Sequence, residues 1–396
     1  MLPGDLIGPV EIGAVAHGGH CVARVDGRVV FVRHVLPGEV VTARVSEVTS
    51  RFARADAVEV VRASPERVEP PCPHAGVCGG CDLQHVRPEF QGELKRLVLA
   101  EQLQRLAGIE WDGAVETVPP VLGSRTRMRF VLADDGALGL RAHRSHAVVP
   151  LPPDGCRIAH PLMPQAREMT TDLADGAPAE RGTAQNRSSF SEAAEYLGVV
   201  SAEGGRLVAA GSPAAAEVVS QRVGERGFRV RVDGFWQSHQ AAPEVLTQAV
   251  LGGLRPAAGE SAFDLYCGVG VFAGALVDAG CAVWGIEGSR TAVEQARRNV
   301  PQARFFAGAV ERTLRQLPKR ADLVVLDPPR TGAGAAVMNA VARLRPRAVA
   351  YVACDPAALA RDLGTAATLG YVPASIRGFD VFGMTHHVEA VAILQR

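Results

Sequence analysis

Lysine is all but absent from this 396-residue sequence: Lys95 and Lys319 stand alone, and arginine supplies the rest of the 42 basic residues. That bias follows base composition and carries no functional weight. Excess charge is missing too, because 42 acidic residues balance the 42 basic ones. Any affinity for nucleic acid must therefore come from a local basic surface and not from the bulk of the chain. No apolar run approaches the roughly 20 residues that span a bilayer, so no membrane partner is expected. The start, MLPGDLIGPVEIG, has neither the basic end nor the apolar stretch of a secretory signal, and a cytoplasmic, monomeric protein is expected. Hydrophobic residues at 47% and charged residues at 21% give a globular balance, and the length suits two or three folded units with a sizeable core. Eight cysteines in such a chain speak for metal binding or catalysis, not for a disulfide framework.

From Gly4 to about Val61, short β-branched runs alternate with glycine turns, which predicts a small antiparallel barrel over residues 1–62. The stretch SPERVEPPCPHAG breaks all periodicity and leads into a cysteine-rich loop. In PEFQGELKRLVLAEQLQRLAGI, Leu94, Leu97, Val98, Leu103 and Leu106 recur at helical spacing and predict one amphipathic helix over 89–107, able to pack on the last domain. A β-rich central region completes 63–235, with its clearest hairpin in RTRMRFVLADDGALGLRAHRSHAVVP. There Arg125, Arg127 and Arg129 alternate on one strand face, which suits either phosphate contact or plain solvation. Residues 160–220 say little.

Residues 236–396 read differently. AFDLY, AVWGIE, LVVLDPP and AVAYVACDP are short apolar runs separated by helix-compatible segments, the pattern of a mostly parallel sheet covered on both faces. PASIRGFDVF and HHVEAVAILQ have no helix between them and suit an antiparallel pair at the sheet's end. This is the α/β, Rossmann-like arrangement of class I methyltransferases that use S-adenosylmethionine (SAM). Asp264-Leu-Tyr266-Cys-Gly268-Val-Gly270 follows the first strand and opens a helix, so the backbone can approach a ligand. Glu287 ends the next strand, where a carboxylate meets ribose hydroxyls. Val-Phe-Ala after Gly270 departs from the G-x-G-x-x-G loop that a pyrophosphate requires, whereas SAM carries no phosphate. Asp327-Pro328-Pro329-Arg330 ends the fourth strand, where methyl donor and target meet.

Cys354 lies just past AVAYVA and before a helix, whose N-terminus favours the thiolate. Cys21 and Cys281 read as buried small hydrophobes. Glu389 interrupts an otherwise apolar strand, and a carboxylate there is either paired or functional. A thiolate adding to C6 of uracil gives C5 enolate character, and a carboxylate can then take the C5 proton, so Cys354 and Glu389 form a candidate nucleophile and base, with His387 in support. Cys72, Cys78 and Cys81 form a compact thiolate set with Cys156 as a plausible fourth ligand, and their spacing allows either zinc or an iron–sulfur cluster. His74 and His85 read as bystanders.

Taken together, YVACDPAALARDL, HHVEAV, DLYCGVGVF, FWQSH and CPHAGVCGGCDLQH resemble the motifs of the RNA uracil-C5 methyltransferases that carry an N-terminal TRAM domain, an OB-like barrel, and the resemblance covers nearly the whole chain. It implies Cys354 as nucleophile and Glu389 as base, with Gln237, Asp264, Tyr266, Gly268, Gly270, Glu287 and Asp327 around SAM. It also implies a [4Fe-4S] cluster rather than zinc on the four cysteines, RNA binding by the barrel, and 23S rRNA ahead of tRNA as substrate. Asp355, His239 and Val271 stand where the family usually has Asn. RNA cytosine-C5 methylation, and a non-catalytic RNA-binding or redox-sensing role, are the competing readings.

Overall fold

A computed structural model describes residues 1–133, 136–164 and 195–396. Residues 134–135, inside the expected hairpin, and 165–194, inside the expected central region, lie outside the described residues.

The first sheet holds β1 (Leu6–Glu11), β2 (Val15–Ala16), β3 (His20–Val25), β4 (Arg28–Arg33), β5 (Val40–Val48) and β6 (Phe52–Arg62), in the order β1-β5-β6-β4-β3-β2. Small apolar side chains alternate along these strands, and Cys21, Ala23, Val30, Val32, Val41, Ala43, Ala53 and Ala55 meet in one core. Asp26 and Gly27 both have positive φ, the backbone that a tight hairpin between β3 and β4 demands.

The cysteine loop follows, and then α1 (Pro88–Ala107), with proline in its first turn and a left-handed Gly108 closing it. Its buried side differs from the leucine stripe expected. Leu97 and Leu106 are 38% exposed, while Gln91, Lys95 and Gln102 are buried beside Leu94, Val98, Leu99 and Leu103. The reason is that polar partners meet this face. Lys95 forms an ion pair with Asp380 and donates to the Phe382 carbonyl at 3.2 Å, and Gln91 holds Met384 through its backbone amide. A three-residue strand, β7 (Val115–Thr117), comes next.

Five central strands, β8 (Arg127–Leu132), β9 (Leu138–Arg141), β10 (Val148–Pro150), β11 (Glu195–Ser201) and β12 (Gly204–Ala209), form an antiparallel sheet in the order β10-β9-β8-β11-β12. The expected hairpin is the β8–β9 pair. A separate hairpin joins β13 (Val218–Val223) to β14 (Arg226–Arg231).

The last sheet comprises β15 (Ser261–Leu265), β16 (Ala282–Glu287), β17 (Arg304–Ala307), β18 (Leu323–Leu326), β19 (Ala348–Ala353), β20 (Val372–Asp380) and β21 (Glu389–Gln395), with β7 added at its edge. Its order is β17-β16-β15-β18-β19-β21-β20-β7, parallel from β17 to β19, with β21 antiparallel to both its neighbours. One face is covered by α2 (Ala242–Leu254), α3 (Val271–Asp278) and α4 (Arg290–Asn299). The other is covered by α1, α5 (Val310–Thr313), α6 (Gly334–Leu344) and α7 (Pro356–Thr368). Burial on both faces is why β18 and β19 read as unbroken apolar runs. Chain order reverses between β15 and β18, which opens a crevice beyond their carboxyl ends.

Candidate active site

The loop from β15 to α3 turns on three positive φ angles, at Tyr266 (66°), Gly268 (52°) and Gly270 (92°). A Cβ on Gly270 would stand 3.3 Å from the Phe305 ring, so glycine there serves both backbone and packing. The Tyr266 and Cys267 amides both donate to the Ile286 carbonyl, at 2.8 and 3.1 Å. Glu287, at the end of β16, accepts from the Gly268 and Ser289 amides at 3.1 and 2.8 Å. Asp264 is fully buried behind this loop and accepts from the Ala273 amide in the first turn of α3 at 2.8 Å. Burial pushes its carboxyl up to about 8, against the pull of that hydrogen bond. Asp264 and Gly270, expected among the cofactor contacts, therefore shape the loop from behind and do not line the crevice.

The crevice is a cavity of about 780 Å3 that collects Gln237, Tyr266, Gly268, Glu287, Asp327, Cys354 and Glu389. Gln237 reaches it because its segment is stitched to residues 124–126: the Thr126 amide donates to the Ser238 carbonyl at 2.7 Å and the Gln240 amide to the Ser124 carbonyl at 3.0 Å. Strand register sets the reacting end. Ala353 of β19 pairs with Ala390 of β21, so one step further Cys354 comes opposite Glu389. Leu326 of β18 pairs with Tyr351, which leaves Asp327 just beyond the neighbouring strand end.

Burial, reinforced by neighbouring charge, favours the protonated forms of these acids and the thiol. Burial and then the charge of Asp327 raise Glu389 well above the carboxylate range. Burial and then Glu287 lift Asp327 to about 7. Burial, followed by Glu389, pushes the Cys354 thiol up to about 11, with Arg330 pulling the other way. His387 also lines the cavity, where burial, His386 and Arg330 drive it down to about 3, so it is neutral. Its Nε2 lies 3.2 Å from Arg330 Nη2 and accepts that hydrogen bond. A poor carbon nucleophile could be activated here by the thiol and then relieved of a proton by the carboxylate.

Comparison with known proteins points the same way. Residues 8–58 match the TRAM domain. An RNA methyltransferase of Streptomyces avermitilis is 46% identical, over 98% of this chain and 97% of that protein. The 23S rRNA (uracil(1939)-C(5))-methyltransferase RlmD of Pseudomonas putida is 33% identical, over 98% of this chain and 93% of its own. This chain belongs to the RNA uracil-C5 methyltransferase family. The fold agrees: the structure of the Pyrococcus abyssi tRNA (uracil-54, C5)-methyltransferase bound to S-adenosyl-L-homocysteine superposes with a TM-score of 0.73, at 24% identity, over 98% of this chain and 99% of that one.

Each departure from the usual asparagines of the family has a local explanation. Asp355 caps α7, its Oδ1 accepting from the Ala358 amide at 2.8 Å, while Oδ2 meets His17 Nε2 of the barrel at 3.2 Å. Its charge is the smallest of the influences raising Cys354. His239 is buried, with Nδ1 accepting from the Ala241 amide at 3.1 Å and Nε2 donating to the Pro120 carbonyl at 3.2 Å. Val271 opens α3 and packs against the core of its face of the sheet.

The three alternating arginines do not form a row. Arg125 lies outside β8 and lines the cavity, Arg127 donates to the carbonyls of Val232 and Gly234 at 2.9 and 2.8 Å, and Arg129 pairs on the surface with Glu195 at 2.9 Å. Phe382, Thr291 and Gln295 were missed in the sequence although they line the cavity, and Arg330 was read only as the last residue of the motif that ends the fourth strand. The i,i+4 spacing of Thr291 and Gln295 behind Glu287 was the available signal.

Cys72, Cys78, Cys81 and Cys156 are all free thiols. Among the described residues no three His, Cys, Asp or Glu side chains are placed to hold a metal ion, so neither zinc nor a cluster is shown on these cysteines. A single ion needs its sulfurs in contact distance of one centre. The four thiols are within electrostatic reach of one another, Cys78 feeling the charges of Cys156 and Cys72, and Cys81 those of Cys156 and Cys78. The Gly80 amide donates to Cys78 Sγ at 3.4 Å, and the Ile158 and Ala159 amides donate to Cys156. Amide donors of this kind suit metal-bound sulfurs. The loop also touches the active site: the Asp82 and Leu83 amides donate to the Met384 carbonyl, and Asp82 Oδ2 accepts from His386 Nδ1 at 2.6 Å.

Proposed function

We propose that this enzyme methylates C5 of a uridine in RNA, with SAM as donor, Cys354 as nucleophile and Glu389 as base. The observation that carries the reading is the placement of Cys354 opposite Glu389 at the rim of the cavity, with Asp327 on the adjoining strand end. Cys354 Sγ, once it has lost its proton, adds to C6 of the uracil, and the C5–C6 electron pair moves towards C5 and O4. Arg330 favours the thiolate. SAM held in the cavity would supply the methyl group to C5, its S–CH3 bond breaking to leave S-adenosylhomocysteine. Glu389, as carboxylate, removes the C5 proton, the C5–C6 double bond re-forms, and the C6–S bond breaks to return the thiolate. Gln237, Tyr266, Gly268, Glu287 and Asp327 are the residues that would hold SAM. The cavity volume lies within the usual range for such ligands.

Ribosomal RNA in the cytoplasm is the favoured substrate, because the relative named for 23S rRNA matches at 33% over nearly the whole chain. Cytosine-C5 chemistry is disfavoured, since residues 327–330 contain no cysteine and Cys354 is the one cysteine lining the cavity among the described residues. The reading includes a [4Fe-4S] cluster on Cys72, Cys78, Cys81 and Cys156, supported by the mutual reach of the thiols and their amide donors.

RNA carrying 5-fluorouridine tests the chemistry, since fluorine cannot leave as a proton. With SAM, ribosomal RNA should be trapped as a covalent adduct that Cys354→Ala abolishes. No adduct with ribosomal or transfer RNA would sink the reading, and one that survives Cys354→Ala would sink the nucleophile. For the cluster, anaerobically purified protein should be brown and contain iron, and Cys78→Ser should remove both. A colourless wild type free of iron refutes it.

A further inference from the structure

Among the described residues that line the cavity, Gln295 is the one with a buried side-chain polar atom left without a partner. It sits on α4 at 6% exposure, and its Oε1 is closed off without a hydrogen-bond partner. Among the described residues its amide makes no hydrogen bond at either end, although the residue lines the cavity. Buried amides in native proteins are nearly always paired, so an orphan beside an open cavity calls for a ligand group.

Its place in the cavity narrows the choice. Thr291 and Ala292 lie one turn earlier on the same face of α4, and Gly308 and Ala309 after β17, with Val310 and Glu311 at the start of α5, line the same cavity. Glu287, the ribose candidate, ends β16, while Cys354 and Glu389 lie beyond β18 on the opposite flank. A nucleoside held at Glu287 with its reactive end towards Cys354 must put its base on the α4 side. An adenine edge offers one donor, the N6 amine, next to one acceptor ring nitrogen. A side-chain amide that turns its Oε1 towards the cavity matches both at once, as Asn and Gln do in reading adenine in DNA. The neighbouring Glu287 and Glu311 carboxylates can only accept.

We propose that Gln295 reads the edge of the SAM adenine and sets the preference of the site for that base. The inference rests on SAM being the cofactor, and not on which RNA is methylated.

Calorimetric titration tests it with S-adenosylhomocysteine and with the analogue that carries hydrogen in place of the N6 amine. Wild type should bind the adenine compound about tenfold or more tightly than the analogue, the scale of one good bidentate pair. Gln295→Met, close in volume, should lower affinity for the adenine compound to that of the analogue and leave the analogue nearly unchanged. Its KM for SAM should rise by more than its turnover at saturating SAM falls. An unchanged unfolding temperature without ligand shows that the variant is folded. Equal loss of both ligands, or wild-type affinity in the variant, overturns the proposal. So does a wild type that fails to distinguish the two compounds, whatever the variant does. A wild type that binds neither compound removes the cofactor reading itself, and failure to methylate uridine leaves these titrations untouched.

Discussion

The cavity and the cysteine loop are both assembled from residues distant in sequence, yet the fold fixes them to different degrees. Cys354 and Glu389 are brought opposite each other by the β19–β21 register, and a slip of one residue would turn both to the other face of the sheet. Nothing comparable holds the cysteines. Residues 63–87 form no helix or strand, only isolated bridges from Arg67 to Val86 and from Cys78 to Ala142, and Cys156 arrives from a separate loop. A continuous backbone ladder thus brings Cys354 and Glu389 together, whereas the thiol set is held by isolated bridges and loop hydrogen bonds.

Cys354→Ala is the harshest test of that contrast. It should lower methylation by at least about 10³-fold while leaving S-adenosylhomocysteine binding in place. Cys78→Ser should do the reverse, keeping adduct formation and changing iron content and stability. If Cys78→Ser abolished the adduct as fully as Cys354→Ala, the two regions would not be separable. Glu389→Gln should slow turnover by about 10²- to 10⁴-fold and, because its lesion falls after attack, should leave methylated RNA attached to Cys354 and visible on a denaturing gel. Both Cys354 and Glu389 must lose protons to act, and both are held above their ordinary values, so the wild-type rate should climb as pH rises from 6 to about 9.

Lys95 sharpens the comparison through stability. Its ion pair with Asp380 is buried on both sides and ties α1 to the end of β20, just before Phe382 and the loop that leads to Glu389. Lys95→Met leaves Asp380 buried without its cation and should cost about 3–5 kcal/mol in urea unfolding. A smaller effect is expected from pH. The folded carboxyls of Asp264 and Asp327, raised to about 8 and about 7, hold protons that the unfolded chain releases near its ordinary values. The folded state therefore binds more protons from about pH 4 to 8, and stability should fall as pH rises through that window. Asp264→Asn should flatten the slope, as read by unfolding midpoints at a series of pH values.

Legibility followed the same division. β15, β16, β18 and β19 could be read because they are apolar on both faces, and Glu389 stood out by breaking such a run. β17 and β7 could not be read, being four and three residues long and carrying exposed polar side chains. The buried side of α1 escaped the hydrophobic pattern because Gln91 and Lys95 answer Met384 and Asp380, nearly 300 positions away. The alternation of Arg125, Arg127 and Arg129 misled because Arg125 precedes the strand and Arg127 is turned inward to carbonyls. Asp264 was legible as part of the loop, but only the helix amide it accepts from shows that it faces away from the ligand.

The mildest expected effect concerns Asp355, where barrel and catalytic sheet meet. Burial alone would raise its carboxyl, but the hydrogen bonds from His17 and from the Ala358 amide outweigh it and hold the group below its ordinary value. It is thus an anion that caps α7 while standing next to the nucleophile. Asp355→Asn keeps a capping oxygen and removes the charge, so the Cys354 thiolate should form more readily. His17→Ala removes the partner and leaves the anion turned more fully on Cys354, in the opposite direction. The His17 contact is partly exposed, and pairs of that kind are worth about 1 kcal/mol or less, so rates of Cys354 alkylation should move by no more than about fivefold. Rates plotted against pH should shift to lower pH in Asp355→Asn and to higher pH in His17→Ala. Identical shifts in both variants would mean that the charge of Asp355 does not reach the thiol and that the residue serves α7 alone.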